Sequence, residues 1–136
     1  MPTAVRSPWL TIAFAVTLAA HLWGLYSPGN PGAVELFPQA DKVLHFFGFA
    51  LPACLAVLIF RHWWPIAAFA AHAAVSELVQ HVWLPNRAGD VSDLAADLLG
   101  LVPALAVWRW VQRSSAANAS GNPTSRTSAA ARRPKA

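Results

Sequence analysis

Apolar residues along this chain fall into four long runs, and the segments between them collect the proline, glycine and charge. The first run, 8–26, contains no Asp, Glu, Lys or Arg. At about 1.5 Å of rise per residue, a helix of that length spans the roughly 30 Å apolar core of a bilayer. Residues 27–40, SPGNPGAVELFPQA, hold three Pro and two Gly and read as an irregular loop. Asp41 opens the second run, 43–60, which stops at Arg61-His62 and a Trp pair at 63 and 64. Pro65, a residue tolerated in a first helical turn, opens the third, 65–84, and Pro85-Asn86-Arg87 closes it. A short turn through Gly89 leads to the fourth, about 90–110, which Arg109 and Arg113 terminate. The remaining residues, 114–136, are rich in Ala, Ser, Asn, Pro, Thr and Arg without periodicity and read as a disordered basic tail. No internal repeat is evident.

Composition turns these runs into membrane spans. With 56% hydrophobic and 12% charged residues, the chain is too apolar for an ordinary soluble domain of 136 residues. The expected fold is all-α: an integral membrane bundle of four transmembrane helices over residues 1–113, followed by the tail 114–136. A cleaved signal peptide is the competing reading of the first run, but the run is long for one and no small-residue cleavage motif follows it. The lone Cys54 lies among Leu, Ala and Val, so no disulfide can form within the chain, and it reads as a packing residue.

The net charge of +4 invites a nucleic-acid reading, which the layout of the basic residues argues against. Arg6, Arg61, Arg109, Arg113, Arg126, Arg132, Arg133 and Lys135 fall on one side of the expected bundle, and only Lys42 and Arg87 on the other. Basic residues accumulate on the cytoplasmic side, so the expected protein is multi-pass with both termini cytoplasmic. Its tail would contact anionic inner-leaflet lipids, and Asn118-Ala-Ser120, although an N-glycosylation pattern, would be on the wrong side.

Acids are the unusual feature. Of six carboxylates, Glu77, Asp90, Asp93 and Asp97 lie within the 24 residues 77–100, where ionisable groups are costly enough to suggest function. The up-and-down topology gathers Asp41, Lys42, His45, Glu77, Gln80, His81, Arg87, Asp90, Asp93 and Asp97 at the outer end, with His21 close by. Helical spacing puts 41, 45 and 48 on one face, 77, 80, 81 and 84 on another, and 90, 93, 97 and 100 on a third. These three polar stripes can face one interior site.

At these positions the chain resembles the VanZ-like family. The resemblance rests on Asp41-Lys42-x-x-His45, on Glu77-x-x-Gln80, and on Pro85-Asn86-Arg87-x-x-Asp90-x-x-Asp93 running on to Asp97-x-x-Gly100, and so covers about residues 41–100. The aromatic residues Phe46, Phe47 and Phe49 after His45 fit it loosely. Asp97 departs from it, since the family often has Asn there, and His21 and His81 are outside the pattern. The resemblance implies a small multi-helix protein of the bacterial plasma membrane, tied to the cell envelope and to glycopeptide (teicoplanin) susceptibility. It implies no settled chemistry.

Three functions suit the residues. In the first, the polar groups are a staple that orders the bundle, with Arg87 paired to Asp90 or Asp93 and Lys42 to Glu77 or Asp41. In the second, they bind a polar envelope ligand, such as a lipid head group or lipid-linked cell-wall precursor, with Arg87 as a bidentate clamp. In the third, Glu77, His81, His45 and an Asp form a metal site or acid/base pair of a hydrolase. The chain lacks the paired-histidine zincin pattern and any Ser-His-Asp order, so no catalytic residue, metal or cofactor is assigned. Binding, with membrane lipids as partners and a homo-oligomer as a further option, is the expectation. Asp90 or Asp93 is also placed to cap the fourth helix. Gly48, Gly100, Ala73 and Ser76 would allow close helix approach, and Pro52 and Pro103 would interrupt helix hydrogen bonding.

Overall fold

The computed structural model describes residues 7–28, 37–86 and 89–120, with side chains to 117. Four helices make up its regular structure: α1 Pro8–Tyr26, α2 Ala40–Phe60, α3 Trp64–Trp83 and α4 Val91–Ser120. The fold is all-α, as the four apolar runs predict. α1, α2 and the 27-residue stretch Val91–Ala117 of α4 are long and apolar enough to cross a membrane. α3 has comparable length, 20 residues, but His72, Glu77, Gln80 and His81 lower its hydropathy, so it is not one of these three.

Local sequence sets most of the boundaries. Pro8 and Pro65 occupy first-turn positions, where a missing N–H removes no helical bond. α2 starts three residues before the predicted 43, because Gln39 takes a left-handed conformation and its carbonyl accepts the N–H groups of Lys42 and Val43. It ends at Arg61, also left-handed, whose N–H returns to the Val57 carbonyl. α3 stops at Trp83, with Leu84 extended before Pro85 as that proline requires.

The fourth helix differs most from expectation. It continues to Ser120, into the stretch expected to be disordered. Arg61 explains part of this extension: its guanidinium donates to Ser115 Oγ, and its carbonyl accepts from Gln112 Nε2, tying the extra turns to the end of α2. The expected tail from residue 121 onward lies outside the described residues, as do Arg6 and Arg87.

α2 and α4 form the most extensive interface, and small residues make it close. A Cβ on Gly100 would collide with the backbone carbonyl of Phe46, so only glycine lets α4 lie this near α2. Phe49, Ala53, Ala56 and Val57 of α2 pack with Phe69 and Ala73 of α3, Leu101 and Ala104 of α4 and Leu25 of α1.

The outside of the bundle is apolar. Trp9 and Trp23 are 78% exposed and Val91 81%, and Leu44, Leu78, Leu99 and Val102 also face outward, whereas His21, His45, Glu77, Gln80, Asp93 and Asp97 are buried. This is the reverse of the polarity of a water-soluble domain, in which buried charged side chains and large contiguous apolar surfaces are both rare.

Candidate functional site

His45, Glu77 and Asp97 meet because they lie at matching depths. His45 is five residues into α2, Glu77 six from the end of α3 and Asp97 six into α4, each about 8–9 Å from the same end of the bundle. His45 Nδ1 is 2.8 Å from Asp97 Oδ1 and 3.9 Å from Glu77 Oε1. Asp97 is fully buried, and His45 and Glu77 are each 8% exposed. The second oxygen of Glu77 accepts the Asp90 backbone N–H at 2.9 Å. That contact depends on Gly89: a Cβ there would strike the Glu77 carbonyl and crowd the Cβ of His81, so glycine lets the loop lie flat on α3. Two acceptors in this buried cluster, Glu77 Oε1 and Asp97 Oδ2, have no hydrogen-bond partner among the described residues.

Nearer the end of the bundle, Lys42 Nζ lies between Asp93 Oδ1 at 3.0 Å and Asp41 Oδ2 at 3.2 Å. Of the alternatives open for Lys42, the structure selects Asp41 and adds Asp93, one helical turn before Asp97. Asp90 has a different task. Its carboxylate accepts from the Ser92 backbone N–H at 2.9 Å and the Ser92 hydroxyl at 2.6 Å, while its carbonyl receives the N–H groups of Asp93 and Leu94. It is the N-cap of α4. The two bonds from Ser92 hold its carboxyl below the usual carboxylate range.

Gln80 is fully enclosed. Its Nε2 donates at 3.0 Å to the Leu25 carbonyl, one of the carbonyls that the end of α1 leaves without a helical partner. His81 is exposed and outside the cluster, although it follows Glu77 by one turn. Arg87, the expected clamp, lies outside the described residues. Asp41, Lys42, His45, Glu77, Asp93 and Asp97 are thus gathered at one end, with Gln80 and Asp90 bracing the helices around them.

A second polar chain escaped the sequence reading. Tyr26 Oη is 2.9 Å from His72 Nε2, and His72 Nδ1 is 3.4 Å from His21 Nε2, linking α1 to α3. The rings of Phe49 and Phe69 close around His21 edge-on. The available signal was that isolated histidines in apolar helices need a partner, and Tyr26, at the end of α1, is the only tyrosine.

Between α1 and α2 runs a cleft of about 420 Å³. Thr17, Ala20, Gly24, Leu44, Phe47 and Leu51 supply much of its wall, and His45 and Asp41 contribute to it from the polar end. The buried cluster and the ion-paired group therefore both border one largely apolar groove. No family model, curated protein or solved structure matches the chain.

Proposed function

We propose that this chain is a multi-pass membrane protein of the cell envelope, VanZ-like in its polar residues, that binds an amphiphile with its head at the His45 and Lys42 groups and its chain in the α1–α2 cleft. The observation that carries the reading is the shared wall of that cleft. His45 and Asp41 sit at one end of it, and the remainder is apolar apart from Thr17 and His21 and of a volume suited to a hydrocarbon chain. A head group with both a cation and hydroxyls or amides would match the acids, and an anionic one would match Lys42.

Membrane residence has its own support. The exterior is apolar where the interior is polar, and the tryptophans lie toward the two ends of the helices. Trp9, Trp63, Trp64, Trp108 and Trp110 lie toward one end, and Trp23 and Trp83 toward the other. Trp64 and Trp83 open and close α3, so these levels are about 28 Å apart, close to the thickness of a bilayer's apolar core. α3 enters the bilayer shielded by its neighbours, since its Glu77 and Gln80 face the interior. Arg61, Arg109 and Arg113 lie at the cytoplasmic end and Lys42 at the outer end, which leaves the candidate site on the outer side.

The test is native mass spectrometry of the full chain purified in mild detergent, with bound lipids identified after release. A Cβ on Gly24 meets nothing within 4 Å, so Gly24→Leu fills the cleft without disturbing a packed wall. The wild type is expected to retain a specific lipid class that Gly24→Leu loses, and Lys42→Gln to change the head groups retained. An identical lipid profile in all three proteins would refute the proposal.

A further inference from the structure

We propose that His45, Glu77 and Asp97 form a divalent metal site in the interior of the bundle. This goes beyond amphiphile binding and does not depend on it.

The first observation is geometric. Each residue offers one donor atom, and the three donors lie within 4.8 Å of one another, on three different helices. Donors at about 2.0–2.1 Å from a tetrahedral zinc are about 3.3 Å apart. The distances from His45 Nδ1, 2.8 Å to Asp97 and 3.9 Å to Glu77, bracket that spacing. Bringing all three donors, now within 4.8 Å of one another, to that spacing takes side-chain shifts on the order of 1 Å.

A second observation is independent of spacing: the unused acceptors. Glu77 Oε1 and Asp97 Oδ2 are buried and have no partner among the described residues, in side chains that are 8% and 0% exposed. A network that served only to join helices would satisfy its acceptors, because a buried carboxylate oxygen without a donor is strongly unfavourable. Charge leads to the same conclusion. Two carboxylates and one imidazole share this pocket, and Lys42 is engaged by Asp41 and Asp93. A divalent cation balances both carboxylates while His45 stays neutral; it replaces the hydrogen bond between His45 Nδ1 and Asp97 Oδ1 and gives Glu77 Oε1 and Asp97 Oδ2 a partner.

Supporting contacts match those of a built site. The Asp90 N–H fixes one oxygen of Glu77 and leaves Oε1 for the ion, the kind of outer contact that orients a ligating carboxylate. Gly89 keeps that N–H in place, and Gly100 brings α4 close enough for Asp97 to reach His45. One imidazole nitrogen and two carboxylate oxygens suit zinc or manganese over calcium, which takes six to eight oxygens, and over copper, which favours more nitrogen or sulfur. Three protein ligands also leave a coordination position open. His45 lines the α1–α2 cleft, so an exchangeable ligand at that position can arrive from there.

The experiment uses the full chain, purified in detergent without a polyhistidine tag. Metal content is measured directly, and chelator-treated protein is then titrated with Zn²⁺, Mn²⁺ and Co²⁺. About one ion per chain is expected, with saturable rebinding. Losing an outer contact to a metal ligand weakens affinity by about 10–100-fold, so Glu77→Gln and Asp97→Asn, which keep side-chain size, should weaken it at least that much. His62→Gln, which replaces an exposed histidine at the far end of the bundle, should bind like wild type. Co²⁺ makes the result independent of variant folding, because visible bands of a four- or five-coordinate ion are expected in the wild type itself. Failure of monodisperse, helical wild type to bind any of the three ions would overturn the proposal. Unaltered affinity in folded Glu77→Gln and Asp97→Asn would overturn it equally.

Discussion

His45 Nδ1 and Asp97 Oδ1 are 2.8 Å apart across the α2–α4 interface, and both side chains are shut away from solvent. Removing one partner strands the other. With metal removed, His45→Leu should cost about 3–5 kcal/mol, since it leaves Asp97 buried without its partner. The double variant His45→Leu/Asp97→Leu, in which leucine reproduces the forked shape of aspartate, should recover much of that loss. A double-mutant cycle from unfolding in mixed detergent and SDS micelles should give a coupling of about 0.5–3 kcal/mol. Additive losses would show that the pair is not an energetic unit.

Gly100 should be far less replaceable than Gly24. A methyl group at 100 meets the Phe46 carbonyl, backbone that cannot turn aside, whereas one at 24 meets nothing within 4 Å. Gly100→Ala is expected to destabilise by about 1–3 kcal/mol through overpacking. Gly24→Ala should gain up to about 1 kcal/mol from helix propensity. Thermal unfolding of both variants in one detergent ranks them, and equal melting temperatures would contradict the close approach.

Asp90 gives a pH-dependent cap. Its folded carboxyl is held below the ordinary range by Ser92, so its charge contributes stability above the unfolded carboxylate pKa of about 3.9. That contribution is lost as pH falls through the lower folded value. Asp90→Asn keeps an acceptor oxygen but has no such titration. Wild type should therefore be the more stable at neutral pH, and the two unfolding curves should converge as pH falls below that range.

Asn86 is exposed in the α3–α4 turn and left-handed, a conformation asparagine tolerates. In a Cys54→Ala background, Asn86→Cys should react with a membrane-impermeant maleimide added to intact cells. Reaction only after permeabilisation would reverse the proposed orientation.

The helices were legible because apolar run length and proline position are local signals. Pro8, Pro65 and Pro85 mark boundaries that the structure keeps. The end of α4 was not, because it depends on Arg61 reaching Gln112 and Ser115 from another helix, a contact with no trace in the composition of 114–120. Within the site, spacing brought the right stripes to one end but not their pairings. Glu77 and His81 are neighbours in helical register, yet Glu77 Oε1 lies 3.9 Å from His45 on α2 and its other oxygen takes the Asp90 N–H, a placement set by helix packing. Lys42 likewise reaches Asp93, 51 residues away, through that packing.

The buried acids also bear on how the chain is assembled. An aspartate at the centre of a lone spanning helix costs roughly 2.5–3.5 kcal/mol on insertion scales. α3 and α4 each bring acids whose neighbours arrive from other helices, and Glu77 needs the N–H that follows Gly89. Neither segment of that hairpin is well suited to sit in lipid alone. On the proposed membrane reading, α3 and α4 would enter the bilayer as a pair and close on His45 of α2.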